Sequence, residues 1–172
     1  MKYATIISVA GAFALVGCGG GDADGNVTAE EAAEETGDAI AADSRFGQAL
    51  EAAGMSALLD GPEPYTFLVP ADEAFPADMP TDAETLAPIL SQHILPGTIL
   101  RQDMVDALDR ADGGSVELPS YGGENITLTR EGEGDAITVS VGGASAQLLP
   151  DGESRFDHGV VHQIDAVFAA AE

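Results

Sequence analysis

Apolar positions along the chain follow two different rhythms. From residue 43 to 109 they recur mainly at helical spacing, and from residue 115 onward they alternate. In "DSRFGQALEAAGMSALLDG" (43–61), Phe46, Leu50, Ala53, Leu58 and Leu59 fall at roughly helical spacing, interrupted at Gly54 and stopped by Asp60-Gly61-Pro62. "PYTFLVP" (64–70) is a short apolar run of β-forming residues closed by Pro70, the pattern of a buried strand. "ADEAF" predicts a helical turn. Residues 82–92 predict a helix with Leu86, Ile89 and Leu90 facing inward, and 101–109 another with Met104, Val105 and Leu108. Then "SVEL", "NITLTR", "AITVSV" and "SAQLLP" read as strands, with "YGGE", "EGEG", "GG" and "DGES" as turn-forming stretches. Ile126 and Leu128 alternate with Thr127 and Thr129, which predicts half-buried antiparallel strands. Helices precede strands instead of alternating with them, so the predicted class is α+β and not a doubly wound sheet.

The N-terminus has a different character. "MKYATIISVAGAFALVGC" carries one early lysine and an uncharged run from Ala4 to Val16. That run is shorter than the ~20 residues of a spanning helix and suits a signal-peptide core. Leu15-Val16-Gly17-Cys18 resembles the bacterial lipobox, in which small residues expose the bond to the peptidase and the thiol takes a diacylglycerol. Cys18 is the only cysteine, so it has no intramolecular disulfide to make. The expected organisation is a lipoprotein signal peptide over 1–17, the lipidated Cys18 with a flexible acidic tether and short helix over 18–35, and one domain over 36–170. Gly19 fits outer-membrane sorting, so the expected location is the bacterial cell envelope, facing periplasm or medium. "DADGNVTAEE" (22–31) resembles the back half of a calcium loop, but the first ligand position falls on Gly20, and Thr28 with Glu31 is better read as a capping box.

Charge narrows the range of partners. Thirty acidic residues against six basic ones give −24, and loss of Lys2 with the signal peptide leaves −25, with five arginines and no lysine. Such a surface repels phosphate backbones, which bind through Lys and Arg, so nucleic acid is excluded as a partner. It favours solubility in salt or attraction of cations.

"DHGVVHQIDAVF" (157–168) holds two of the three histidines. On a helix, His158 and His162 would lie ~6 Å apart along the axis. Gly159 and the two valines that follow favour a strand, where four residues span ~13 Å. Two imidazoles so placed do not share one ion held at ~2 Å by each. His162, between Val161 and Ile164, is expected to be a core histidine with a bonded ring nitrogen. No Gly-x-Ser-x-Gly elbow is present, and Ser44, Ser56, Ser91, Ser115 and Ser120 are scattered in ordinary contexts.

"PYTFLVPADEAF" (64–75), "SQHILPG" (91–97) and "HGVVHQIDAVF" (158–168) resemble, in order and spacing, the first block, central histidine motif and second block of the fasciclin (FAS1) domain. The structural motif residues that carry this likeness are Thr66, Phe67, Pro70, Phe75, Gly159, His162, Ile164 and Asp165. The resemblance implies a FAS1-like wedge of two mostly antiparallel β-sheets with several helices along one side. It also implies an extracellular adhesion module without a general catalytic site, cofactor or metal. Gln92 stands where the central motif usually has tyrosine, His158 where the second block usually has asparagine, and Asp72 where many members have asparagine.

The expected function is a non-catalytic adhesion or interaction module on a lipid anchor at Cys18, binding protein or glycan partners through Asp72, Glu73 and His93. A calcium-binding or salt-adaptation envelope protein is the alternative, and a hydrolase around His93 or His162 is favoured less. Cys18→Ala is expected to move the protein from the membrane pellet to the soluble fraction, read by immunoblot after ultracentrifugation. Unchanged sedimentation with membranes would overturn the anchor.

Overall fold

The structure, a computed structural model, describes residue 40, residues 43–130 and residues 136–168. The signal peptide, Cys18, the tether and the "EGEG" turn expected from the sequence lie outside the described residues. Helix α1 (Arg45–Ala52) starts where the Ser44 hydroxyl accepts the Gly47 N–H at 3.0 Å. It is shorter than the 43–61 pattern because it closes at Gly54. The Met55 and Gly54 N–H groups return to the Leu50 and Glu51 carbonyls at 2.8 and 3.0 Å. A 3-10 turn (Ser56–Leu58) follows, then β1 (Tyr65–Pro70), buried along its whole length, and a second 3-10 turn (Asp72–Ala74). The Asp82 carboxylate caps α2 (Ala83–Ser91) through the Thr85 N–H at 3.0 Å. Strand β2 (Ile94–Pro96) leads to α3 (Arg101–Arg110), at whose start Asp103 accepts the Leu100 N–H at 3.0 Å. Strands β3 (Ser115–Pro119), β4 (Asn125–Arg130), β5 (Ile137–Val141), β6 (Ala144–Phe156) and β7 (Gly159–Ile164) complete the order.

The class is α+β, as the pattern predicts, but the two expected sheets are replaced by one. Seven strands form a single mixed sheet in the order β2-β1-β7-β6-β5-β4-β3, and a second sheet is not seen among the described residues. Five of the six ladders are antiparallel, and β1 with β7 is parallel. The reason for one sheet lies in β6, whose 13 residues pair with β5 through 144–147 and with β7 through 148 and 153–156. What would be two sheets is thus joined by one long strand with a register shift between Leu148 and Glu153. "DGES", expected to be a turn, lies within that strand. Gly152 serves there for close approach, since a Cβ would sit 2.7 Å from the Cβ of Gln163. The far ends of the sheet also meet. Tyr121, just after β3, donates its N–H to the Ile94 carbonyl of β2 at 2.7 Å, which covers an otherwise open edge.

The sheet separates two cores. Tyr65, Phe67 and Val69 of β1 pack with Phe46 and Leu50 of α1 and Leu86 and Leu90 of α2. Leu68, on the opposite face of β1, packs with Met104 and Leu108 of α3 and with Ile126, Leu128, Val139 and Ile164. The helices therefore cover both faces of the sheet rather than one side, because alternate residues of β1 are apolar in both directions. Phe75 is buried in the first core, and Pro70 closes β1 opposite Ile164.

Gly159 sits where this packing is tightest. A Cβ there would come within 2.0 Å of the Tyr65 carbonyl oxygen and 2.8 Å of the Phe156 ring. Gly159→Ala is expected to cost about 3 kcal/mol, and at ~1–3 kcal/mol per molar urea this lowers the unfolding midpoint by about 1–3 M. Equilibrium urea denaturation followed by circular dichroism reads the shift, and an unchanged midpoint would refute the close approach.

Candidate functional site

His93 follows the C-terminal end of α2 and is completely buried. Its Nδ1 lies 2.9 Å from the Ile89 carbonyl, which can only accept, so Nδ1 carries the proton. Its Nε2 accepts the Phe168 N–H at 3.1 Å. The Phe168 ring lies 4.5 Å away, tilted by 33°. The neutral imidazole thus ties the C-terminal segment to the end of α2, and both ring nitrogens are engaged. Burial pushes its pKa down to about 4, outweighing the Ile89 bond that favours the cation.

His162 and Thr66 hold a different segment. The Thr66 hydroxyl donates to the Gly97 carbonyl at 2.8 Å and accepts the Ile99 N–H at 2.9 Å. His162 Nε2 donates to the Ile99 carbonyl at 2.7 Å. On the other side of the ring, Nδ1 lies 4.0 Å from Glu153 Oε2, which accepts the Arg101 N–H at 2.6 Å. The chain between β2 and α3 is therefore clasped from β1 and β7 together. Burial holds the His162 pKa below its usual value, against the Ile99 bond and the Glu153 charge that raise it. His158, by contrast, lies exposed in the turn between β6 and β7. Asp165 fastens the end of β7, accepting the Gln147 N–H at 2.7 Å and donating its own N–H to the Gln147 carbonyl at 3.2 Å.

Of the three residues expected to meet a partner, Asp72 and Glu73 are exposed and His93 is not. The structure does not bring the imidazole to the surface beside the two acids, because its ring holds the interior together. The Asp72 carboxylate accepts the Arg45 N–H at 3.0 Å, linking the turn after β1 to the first residue of α1.

A surface feature that sequence reasoning missed lies beside Gln92. A cleft of ≈ 550 Å³ runs between Met55, the C-terminal half of α2 (Pro88, Ser91, Gln92) and the β3–β4 turn (Tyr121, Glu124). The turn is held by Tyr121 N–H to the Ile94 carbonyl and by Gly122 N–H to the Ser91 carbonyl at 3.1 Å. The Gln92 amide donates to the Glu124 carboxylate, so a residue of the central motif fixes a carboxylate at the cleft. Tyr121 is 51% exposed, and its ring meets Tyr65 edge-on at 6.0 Å. The Tyr65 hydroxyl donates to Glu63 at 3.0 Å, which with burial raises the Tyr65 pKa. The only sequence signal for this cleft was a large aromatic inside a glycine-rich turn. It offers an aromatic ring and hydrogen-bonding groups, with no histidine or cysteine lining it among the described residues.

The fold and its internal polar clasps define an α+β module whose buried motif histidines serve the structure. Residues 42–170 match the family described as the fasciclin domain, and the chain belongs to that family. Fasciclin domains are generally non-catalytic modules associated with cell adhesion. The chain is also similar to the solved structure of a FAS1 domain pair from the insect cell adhesion molecule fasciclin I, at 23% identity and a TM-score of 0.51. That likeness covers 80% of this chain and 45% of the other, so this chain spans less than half of that structure's length. No curated protein matches.

The buried His93 has a pH consequence. Its folded pKa of about 4 lies below the ordinary 6.5, so the unfolded chain binds the proton first as pH falls. This contribution to stability is complete above pH 6.5 and is lost as pH falls toward 4, amounting to about 3 kcal/mol at most. His93→Gln is expected to flatten the slope of unfolding free energy against pH in that window. Denaturation series at several pH values measure it, and identical slopes for both proteins would contradict the neutral buried ring.

Proposed function

We propose that this protein is a non-catalytic interaction module displayed at the bacterial cell envelope on a lipid anchor at Cys18, binding protein or glycan partners. The observation that carries the reading is a fasciclin domain over residues 42–170 whose two buried histidines are both engaged in its own fold. Contact with a partner then falls to exposed features, the Asp72–Glu73 turn and the cleft beside Gln92. The acidic tether over 18–35 would hold the domain away from a membrane of like charge. The structural relative is named as a cell adhesion molecule, which supports the same class of role.

The alternative, a calcium-binding or salt-adaptation protein, draws its support from the net charge of −24 and not from a built site. Among the described residues no three His, Cys, Asp or Glu side chains converge where they would hold an ion.

A deletion strain is expected to lose cell aggregation or surface attachment, and the wild-type gene to restore it where Cys18→Ser does not. Crosslinking on intact cells is expected to capture a protein or glycan partner with the anchored form. Normal aggregation, attachment and envelope integrity in the deletion strain would overturn the reading.

A further inference from the structure

The cleft where the two ends of the sheet meet has a definite chemical bias. Tyr121 is the large apolar side chain left exposed among the described residues, and it stands in a cleft large enough for a bound side chain or two. The charges nearby have one sign. Glu124 lies at the cleft, and Glu63 lies one tyrosine further on, bonded to Tyr65, whose ring packs perpendicular to that of Tyr121. No arginine lines the cleft. The five arginines of the described residues make contacts elsewhere: Arg45 with the Phe75 carbonyl, Arg101 with the Leu149 carbonyl, and Arg110, Arg130 and Arg155 with Asp106, Asp109 and Glu153.

An anionic occupant meets a chain of charge −24 with no local cation to receive it. A neutral sugar gains nothing from that field. A cation gains from the field at long range and from the ring face and carboxylate on contact. The Gln92 amide already holds the Glu124 carboxylate in place, so little ordering is left for binding to supply. Lysine presents a compact, strongly hydrated charge, whereas a guanidinium is flat, weakly hydrated and forked, and so suits an aromatic face beside a carboxylate.

We propose that this cleft docks an arginine carried on an extended basic segment of a partner protein, its guanidinium laid on Tyr121 and its N–H groups directed to Glu124. The assignment rests on the interaction-module reading above and names the chemistry of the partner.

Fluorescence anisotropy with a labelled Gly-Arg-Gly-Arg-Gly peptide and the full chain tests it, in about 150 mM salt to suppress long-range attraction. Saturable binding is expected, with Tyr121→Ala and Glu124→Gln each weakening it by about fivefold or more. Glu51→Gln, which removes the same charge from the exposed side of α1, is expected to stay within about twofold of wild type. The lysine analogue of the peptide is expected to bind less tightly. Thermal melts matching wild type confirm that the two cleft variants are folded, and a Tyr121→Phe variant that retains binding supports the ring as the contact.

Equal losses in Glu124→Gln and Glu51→Gln with none in Tyr121→Ala would reduce the effect to bulk charge and overturn the cleft. Displacement of the peptide by a neutral oligosaccharide from wild type but not from Tyr121→Ala would make it a glycan site and overturn the proposal. Absence of saturable peptide binding, alongside a deletion strain that has lost aggregation, would remove the cleft and leave the interaction-module reading standing. Normal aggregation in the deletion strain removes that broader reading, and with it the partner assigned to this cleft.

Discussion

The parallel ladder between β1 and β7 is the constraint on which the rest of the structure depends. It brings residues 65–70 beside 159–164, so the first strand of the domain and the last lie side by side, inside the β2 edge of the sheet. A contact between segments so distant in sequence carries a high closure entropy and has to be repaid by burial. Burial follows on both faces, because β1 and most of β7 are closed to water on either side. Gly159 sets how closely the two can approach, its missing side chain leaving room for the Tyr65 carbonyl and the Phe156 ring. With both faces occupied, helices are recruited to each, and two cores form where a half-exposed sheet would have one.

Strands buried on both faces, as β1 and most of β7 are, have no water to satisfy stray polar groups, and this explains the two interior histidines and Thr66. Each side chain meets backbone groups that no ladder reaches. His93 supplies one donor and one acceptor at once, to Ile89 and Phe168, and a neutral imidazole is well suited to doing both. Thr66 does the same for Gly97 and Ile99 with a single hydroxyl. Using imidazole carries a liability in acid that threonine does not, since the fold requires the neutral ring. The same holds for His162, whose burial also favours the neutral ring.

Features that depend on local pattern were legible in the sequence, and those that depend on distant approach were not. The alternation around Ile126 and Leu128 gave β4, and helical spacing around Leu86 and Leu90 gave α2, since each follows from one buried face. The end blocks were readable as strands, and the likeness they carry named the family. "DGES" was misread because Asp-Gly ordinarily marks a turn, whereas Gly152 is needed for contact with Gln163 on the neighbouring strand. The second expected sheet failed for the same reason, because nothing within residues 144–156 reveals that one strand serves two neighbours. His93 was expected to meet a partner beside Asp72 and Glu73. Its burial depends on Phe168, a partner 75 residues away.

The same reasoning separates the groups that hold this domain together from those that remain open to a partner. A side chain whose donors and acceptors are all satisfied internally cannot contribute a bond to a second molecule without first breaking the fold. His93 meets that description, and His162 and Thr66 lie as deeply buried beside the chain they hold. Tyr121 and Glu124 do not, because the turn that carries them is anchored through backbone groups, to Ile94, Ser91 and Ser120. The phenol face and the carboxylate can change without removing those bonds. A site anchored by its main chain and exposed by its side chains can vary in specificity while the sheet stays closed. Gln92 links the two, since it lies next to the buried histidine in sequence and fixes the exposed carboxylate in space. The central motif thus acts on the surface through its glutamine and on the interior through its histidine.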